Sequence, residues 1–269
     1  MDDTKSRRDL CYYITGHGLG HATRSLEVIR ILLSSNKFNV HIVTQVKKEF
    51  FVSNLTEFDT SISMFTHSCR ALDTGAYQQD VFVVDMIQSL AQYSSNIHQN
   101  RETLLNYEVQ WLKDKMITLV LVDATPLGCE AGRLAGVTSV IVSNFTWDFC
   151  YKEMLREVSA LNVLSAQQLH QHREMVEQCE LDSSACSHYL QLPGATPLPS
   201  HMDKSKLVRG PLLARGVRNS NLRAELSISA DVRILLLGFG GHSAAWQLCD
   251  SFLPQGWICL VLGTIQVYC

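Results

Sequence analysis

The chain has 269 residues, of which 46% are hydrophobic and 18% charged, with a formal net charge of -3. That length buries a sizeable core as one large domain or two smaller ones, and the near-neutral balance argues against nucleic acid or an anionic membrane surface as a bulk electrostatic partner. No apolar run approaches the roughly 18 to 20 residues that span a bilayer, and no signal-type apolar core follows the charged start, so a cytoplasmic address is expected.

The predicted elements alternate between short apolar strands and helical periods. A strand at 11–15 runs into the loop Gly16-His17-Gly18-Leu19-Gly20-His21, and a helix at 22–34 follows. In that helix Leu26, Ile29 and Leu33 share one stripe, while Arg24, Glu27 and Arg30 point elsewhere. Further strands are predicted at 40–44, 62–66, 118–123 and 137–143. The intervening helices are a long segment at 84–115, which should be broken, and a shorter one at 126–135. Strands without polar alternation, each followed by a helix, indicate a parallel sheet covered on both faces.

A second pattern starts late. Residues 191–215, rich in Pro, Gly and basic side chains, read as a linker. A short helix at 221–226, a buried strand at 233–237, the loop Gly238-Phe239-Gly240-Gly241-His242, a helix-like piece and a strand at 257–262 then repeat the opening unit. The fold class is therefore α/β: a Rossmann-like parallel-sheet N-terminal domain over 10–212, then the linker and incomplete start of a second Rossmann-like domain over 213–269. A doubly wound domain needs about five or six strands. The short second unit is thus expected to be a truncated or alternatively terminated product with open strand edges.

The nine cysteines are scattered singly, with no C-x-x-C pair, and read as small core residues in a reducing compartment. No cluster has zinc-ligand spacing, and no metal site is predicted.

The sharpest local feature is the first loop. Gly16, Gly18 and Gly20 allow a tight turn and a close approach of ligand to free N–H groups at a helix N-terminus, where the dipole favours phosphate or sugar oxygens. His17 and His21 have two readings. In the first, each simply caps the helix or satisfies a buried carbonyl. Alternatively, at the carboxyl end of the first strand, an imidazole kept neutral by the helix N-terminus accepts a proton from a sugar hydroxyl. Thr44-Gln45 stands where a dinucleotide site expects an acidic ribose ligand, which argues against a nicotinamide dehydrogenase.

Thr125 and Pro126 read as N-cap and first helical residue. Asp123, at the strand end beside the first loop, is the better candidate for holding substrate or orienting a histidine. Asn144, Trp147 and Asp148 close the fifth strand. They suit carbohydrate, by stacking on Trp and by hydrogen bonds to hydroxyls, or equally an aromatic corner covering the sheet. Gly240 and Gly241 would face the phosphates of a nucleotide donor.

Taken together, Tyr12 to Arg24 (YYITGHGLGHATR), Ser143 to Phe149 (SNFTWDF), Leu192-Pro193-Gly194, Gly238 to Gly241 with Trp246, and Leu253 to Trp257 (LPQGW) resemble the N-terminal glycosyltransferase-like region of plant-type L-arabinokinases. The resemblance implies a GT-B architecture, with an acceptor site in the first domain and a nucleotide-sugar donor site mainly in the second. By position it makes His17 or His21 the base candidate, Asp123 its orienter, and Gly16, Gly18 and Gly20 the loop wall. In the complete family this region precedes a kinase that phosphorylates L-arabinose with ATP and Mg²⁺. That kinase needs a phosphate loop of the type P-x-x-x-G-L-x-S-S, which this sequence lacks. The expected ligand is thus a sugar or nucleotide sugar, with no resident cofactor, and the chain should bind rather than complete catalysis. An active nucleotide-sugar-dependent transferase with a His base is the alternative.

Overall fold

Strand β1 (Arg8–Ile14) explains the architecture. Its residues Leu10 to Ile14 are all buried, so both of its faces are covered. Alternation along the strand sends Cys11 and Tyr13 into one core and Leu10, Tyr12 and Ile14 into another. The structure is a computed structural model that describes residues 7–58, 65–80, 82–214, 221–238, 244–262 and 265–268.

The second core lies under α1 (Leu19–Ser34) and α2 (Lys48–Asn54), which flank β2 (Phe38–Val43). Ala22, Leu26, Ile29 and Leu33 form the buried stripe of α1, at the spacing one helical face requires. Next come β3 (Phe65–Ser68), a small antiparallel pair, β4 (Gln78–Asp80) and β5 (Val83–Val84), and then α3 (Met86–Tyr93). The long helical segment does break, at a π-helical turn, Ser94–His98, before α4 (Arg101–Asp114).

The chain then returns to the middle of the sheet with β6 (Leu119–Asp123), α5 (Pro126–Ala135) and β7 (Thr138–Ser143). It continues through α6 (Trp147–Ala160), α7 (Ala166–Ser184), β8 (His188–Gln191) and β9 (Leu207–Arg209). The seven strands are ordered β3-β2-β1-β6-β7-β8-β9 and every pairing is parallel. The chain runs outward from β1 to β3, then resumes on the other side of β1. The gap beyond the carboxyl ends of β1 and β6 is therefore the switch point where open α/β sheets bind ligands.

Part of the stretch read as a linker is sheet. Gln191 closes β8, and Leu207–Arg209 pairs with it as the edge strand β9. Three residues are too few to show a period, and the prolines and glycine before them conceal the strand.

The later unit holds α8 (Leu222–Glu225), β10 (Arg233–Gly238), β11 (Ala244–Cys249), β12 (Trp257–Leu262) and β13 (Ile265–Tyr268). Parallel pairs form between β10 and β12 and between β11 and β13. The piece expected to be helical after Gly238 is extended instead, because its backbone pairs with β13. Gly240 and Gly241 lie outside the described residues. All eight cysteines among the described residues are free thiols. No helix among the described residues is long and apolar enough to cross a membrane.

Candidate functional site

The loop after β1 turns at Gly18, whose φ of 71° is open to glycine at little cost, and α1 starts directly behind it. The backbone of Gly16 leaves no room for a side chain, since a Cβ there would meet Gln45 at 2.9 Å. His17 is half-buried. Its ring stands edge-on to Trp147, 5.1 Å between centroids, and it lies so close to the backbone of Gly75 that a Cβ on that glycine would come within 2.7 Å of the ring.

His21 sits in the first turn of α1 and reaches across the switch point to the end of β6. Its Nδ1 lies 2.9 Å from Oδ2 of Asp123, a carboxylate with no solvent exposure. The same Nδ1 lies 3.2 Å from Nη2 of Arg24. A carboxylate only accepts and a guanidinium only donates, so the ring nitrogen sits between two groups that ask opposite roles of it, with the carboxylate the nearer. The His21 ring packs edge-on against Phe145 at 5.1 Å.

Arg24, one turn further along α1, closes on the same carboxylate. Its guanidinium donates to Oδ1 of Asp123, to Ser143 Oγ at 3.1 Å and to Asn144 Oδ1 at 2.5 Å. Ser143 also donates to Asp123, at 3.1 Å. Burial alone would raise the pKa of Asp123, but the imidazole and guanidinium outweigh it and hold the carboxyl below its ordinary value. The Nε of Arg24 is buried and makes no hydrogen bond.

A second buried carboxylate, Asp73, ties a neighbouring loop to these strand ends. It accepts from Thr15 Oγ1 at 2.7 Å and from Thr125 Oγ1 at 3.1 Å. Desolvation pushes its carboxyl up to about 6, against the two hydroxyls, which favour the ionised form. Thr15 in turn accepts from the indole Nε1 of Trp147 at 3.2 Å and from the His17 N–H at 3.3 Å. Between Asp123 and Thr125, Ala124 adopts φ 62°, a left-handed conformation that costs a non-glycine residue about 1–2 kcal/mol and that tends to occur at functional sites. Beside this network lies an open cavity of about 340 Å³ lined by Gln45, Ala71, Asp73, Thr74, Gln92, Asn96 and Ile97.

The structure thus brings His17, His21, Asp123 and Asn144 to one place, with Gly16 and Gly18 in the turn before α1 and Gly20 in the first turn of the helix. Trp147 is there too, but as a buried wall, stacked on Tyr151 at 5.7 Å rather than offering a free face. Asp148 is not. It points into the α6–α7 packing, accepts from Ser183 Oγ at 2.5 Å, and burial pushes its carboxyl up to about 6. Thr125 is the N-cap of α5 with Pro126 behind it, yet its hydroxyl makes no capping bond because it serves Asp73 and the Asp123 carbonyl. Sequence reasoning missed Arg24, Asp73, Thr15 and Ser143. Arg24 carried a signal, since it stands three residues after His21 on the same helical face. Asp73 carried none, being fixed by tertiary contacts alone. Among the described residues, no three His, Cys, Asp or Glu side chains converge as a metal site requires.

Both the sequence and the fold have relatives among known proteins. Over 257 residues the chain is 37% identical to L-arabinokinase of Arabidopsis thaliana, a match spanning 95% of this chain and 23% of that protein. The chain thus spans about a quarter of the length of this curated relative. No protein-family model matches it. The fold is shared with the glycotransferase of kitacinnamycin, at TM-score 0.54 and 17% identity over 95% of this chain and 66% of that one. It is shared equally with UGT2 of Phytolacca americana, solved with UDP-2fluoro-glucose and pterostilbene, at TM-score 0.52 and 10% identity over 94% and 71% of the two chains. UGT89C1 of Arabidopsis thaliana complexed with UDP-L-rhamnose gives TM-score 0.52 and 10% identity over 95% and 70%. The chain is therefore homologous, over nearly its whole length, to part of a plant L-arabinokinase, and its architecture is that of the GT-B glycosyltransferases.

Proposed function

We propose that this chain is a glycosyltransferase-like sugar- or nucleotide-sugar-binding region of an L-arabinokinase-type protein, with its sugar-facing site at the turn carrying His17 and His21. The observation that carries the reading is the His21–Asp123 pair at the switch point, an imidazole hydrogen-bonded to a buried carboxylate at the mouth of the parallel sheet. The fold neighbours solved with UDP-sugars support the ligand class.

Binding is favoured over turnover by Arg24. In a His–Asp pair the carboxylate promotes proton abstraction by stabilising the imidazolium that results. Here the Asp123 charge is already compensated by a guanidinium, which weakens that stabilisation. A transferase with His21 as base remains the second reading, and the same pair is the feature that favours it.

Thermal melting of the chain with UDP, UDP-sugars, L-arabinose and ATP tests both. A ligand present at 100 times its Kd stabilises by about 2.7 kcal/mol, a shift of several degrees in a domain of this size. A shift with a UDP-sugar or free sugar that is lost in His21→Ala supports the proposal, and no shift with any of them overturns it. Turnover of a nucleotide sugar abolished in His21→Ala would establish the second reading instead.

A further inference from the structure

The cavity beside the histidine turn has an unusual lining. Three carboxamides, Gln45, Gln92 and Asn96, come from three different segments: the loop after β2, α3 and the π-helical turn. The hydroxyl of Thr74 and the carboxyl of Asp73 complete the polar wall, and Ala71 and Ile97 supply the apolar part. Each carboxamide offers both donors and an acceptor, which is what an alcohol needs because it donates once and accepts twice.

What the lining lacks is equally informative. Among the described residues it holds no Lys or Arg, so a phosphate or carboxylate group would lose its hydration without a countercharge, beside a buried acid. Among the described residues it holds no aromatic ring either, so a flat aromatic molecule would find nothing to stack on there. At about 340 Å³ the space is at the small end of ligand pockets.

The cavity is also wired to the histidine turn. Asp73 in its wall is hydrogen-bonded to Thr15 at the end of β1 and to Thr125 just after β6. Gln45, another wall residue, packs against the backbone of Gly16. Thr74 precedes Gly75, the residue whose backbone touches the His17 ring. A molecule in the cavity therefore lies against the segments that carry His17, His21 and Asp123.

We propose that this cavity receives a small, neutral, polyhydroxylated molecule of mono- to disaccharide size, recognised by the amides of Gln45, Gln92 and Asn96 rather than by stacking or charge. The inference rests on the proposed function, since it names the substrate class of the subsite next to His17.

The test is ligand-observed NMR on the full chain with three probes: L-arabinose as the neutral sugar, glucose 6-phosphate as the charged one, and pterostilbene as the flat aromatic. The expected result is saturable binding of L-arabinose, stronger than that of either other probe. It should weaken about tenfold in Gln92→Leu/Asn96→Leu, where two polar partners are lost. Melting of the unliganded variant should stay cooperative, since Gln92 is half-buried and Asn96 exposed. Preference for the phosphate or the aromatic, no binding of L-arabinose, or unchanged binding in the folded variant each overturns the inference. If UDP-sugars still shift the melting of the wild-type chain in those cases, the sugar-facing turn stands and only the cavity assignment falls.

Discussion

Arg24 and Asp123 are 99 residues apart in sequence and form an ion pair in which the carboxylate is wholly buried. The pair joins the first helix to the strand on which the chain re-enters the sheet, and His21 shares it. Removing one partner of a buried pair leaves the other uncompensated, at a cost of about 3–5 kcal/mol. His21 still partners Asp123 in Arg24→Met, so a loss near 3 kcal/mol is expected in urea denaturation. Asp123→Asn made in that background should restore part of it. A loss below about 1 kcal/mol would show that the guanidinium is dispensable.

Asp148 gives a stability test with a defined sign. Its carboxyl is raised to about 6 in the folded chain by burial, against an ordinary 3.8. The folded state therefore binds the proton more tightly than the unfolded one. That contribution is full below about pH 4 and is lost as pH rises towards 6. Asp148→Asn removes the loss, so at pH 7 the variant should be more stable than the wild type by up to about 3 kcal/mol, with the advantage gone at pH 4. Because the side chain faces Ser183 inside the helix packing, UDP-sugar binding should survive the change. A variant that loses binding while melting normally would return Asp148 to the ligand site.

Gly75 and Gly136 separate backbone strain from contact with His17. Both have positive φ, 62° and 73°, and alanine in that region costs about 1–2 kcal/mol. At Gly136 a Cβ meets nothing within 4 Å, whereas at Gly75 it meets the His17 ring at 2.7 Å. Gly75→Ala should therefore destabilise more than Gly136→Ala and should also weaken sugar binding, as read by paired melting and titration. Equal effects would mean that His17 moves freely.

Glu108 anchors the start of the loop that carries Asp73 and Gly75. It accepts from Arg70 at 2.6 and 2.8 Å and from the Tyr13 hydroxyl at 2.9 Å, while Arg70 lies over the ring of Trp111. Glu108→Leu strands a partly buried guanidinium and should cost about 3 kcal/mol. Hydrogen exchange of the 71–77 amides should accelerate ahead of the rest of the sheet. Uniform acceleration would show that the anchor serves the whole domain.

Much of this architecture could be read in the sequence. The core strands of the sheet are apolar runs with no competing period, and the stripe Leu26, Ile29, Leu33 is buried as its spacing demanded. Helix α5 is bounded by Pro126 and by Gly136 in a left-handed cap, both local signals. Helices α6 and α7 were harder, because each buries charged and polar groups such as Asp148, Glu180 and Asp182 that blur the apolar stripe. At the site, His17, His21 and Asp123 were accessible from their places at strand ends. Asp148 misled because adjacency to Trp147 in sequence places the two side chains on different faces of a helix. Asp73 was invisible, since only folding brings its loop to Thr15 and Thr125.

The most direct measurement is NMR of histidine-labelled chain titrated with UDP-glucose. The account predicts that the His17 and His21 ring signals move saturably, while that of His172, buried in α7, stays in place. Unmoved His17 and His21 signals at UDP-glucose concentrations that shift the melting temperature would contradict it, because the ligand would then bind somewhere other than the turn between β1 and α1.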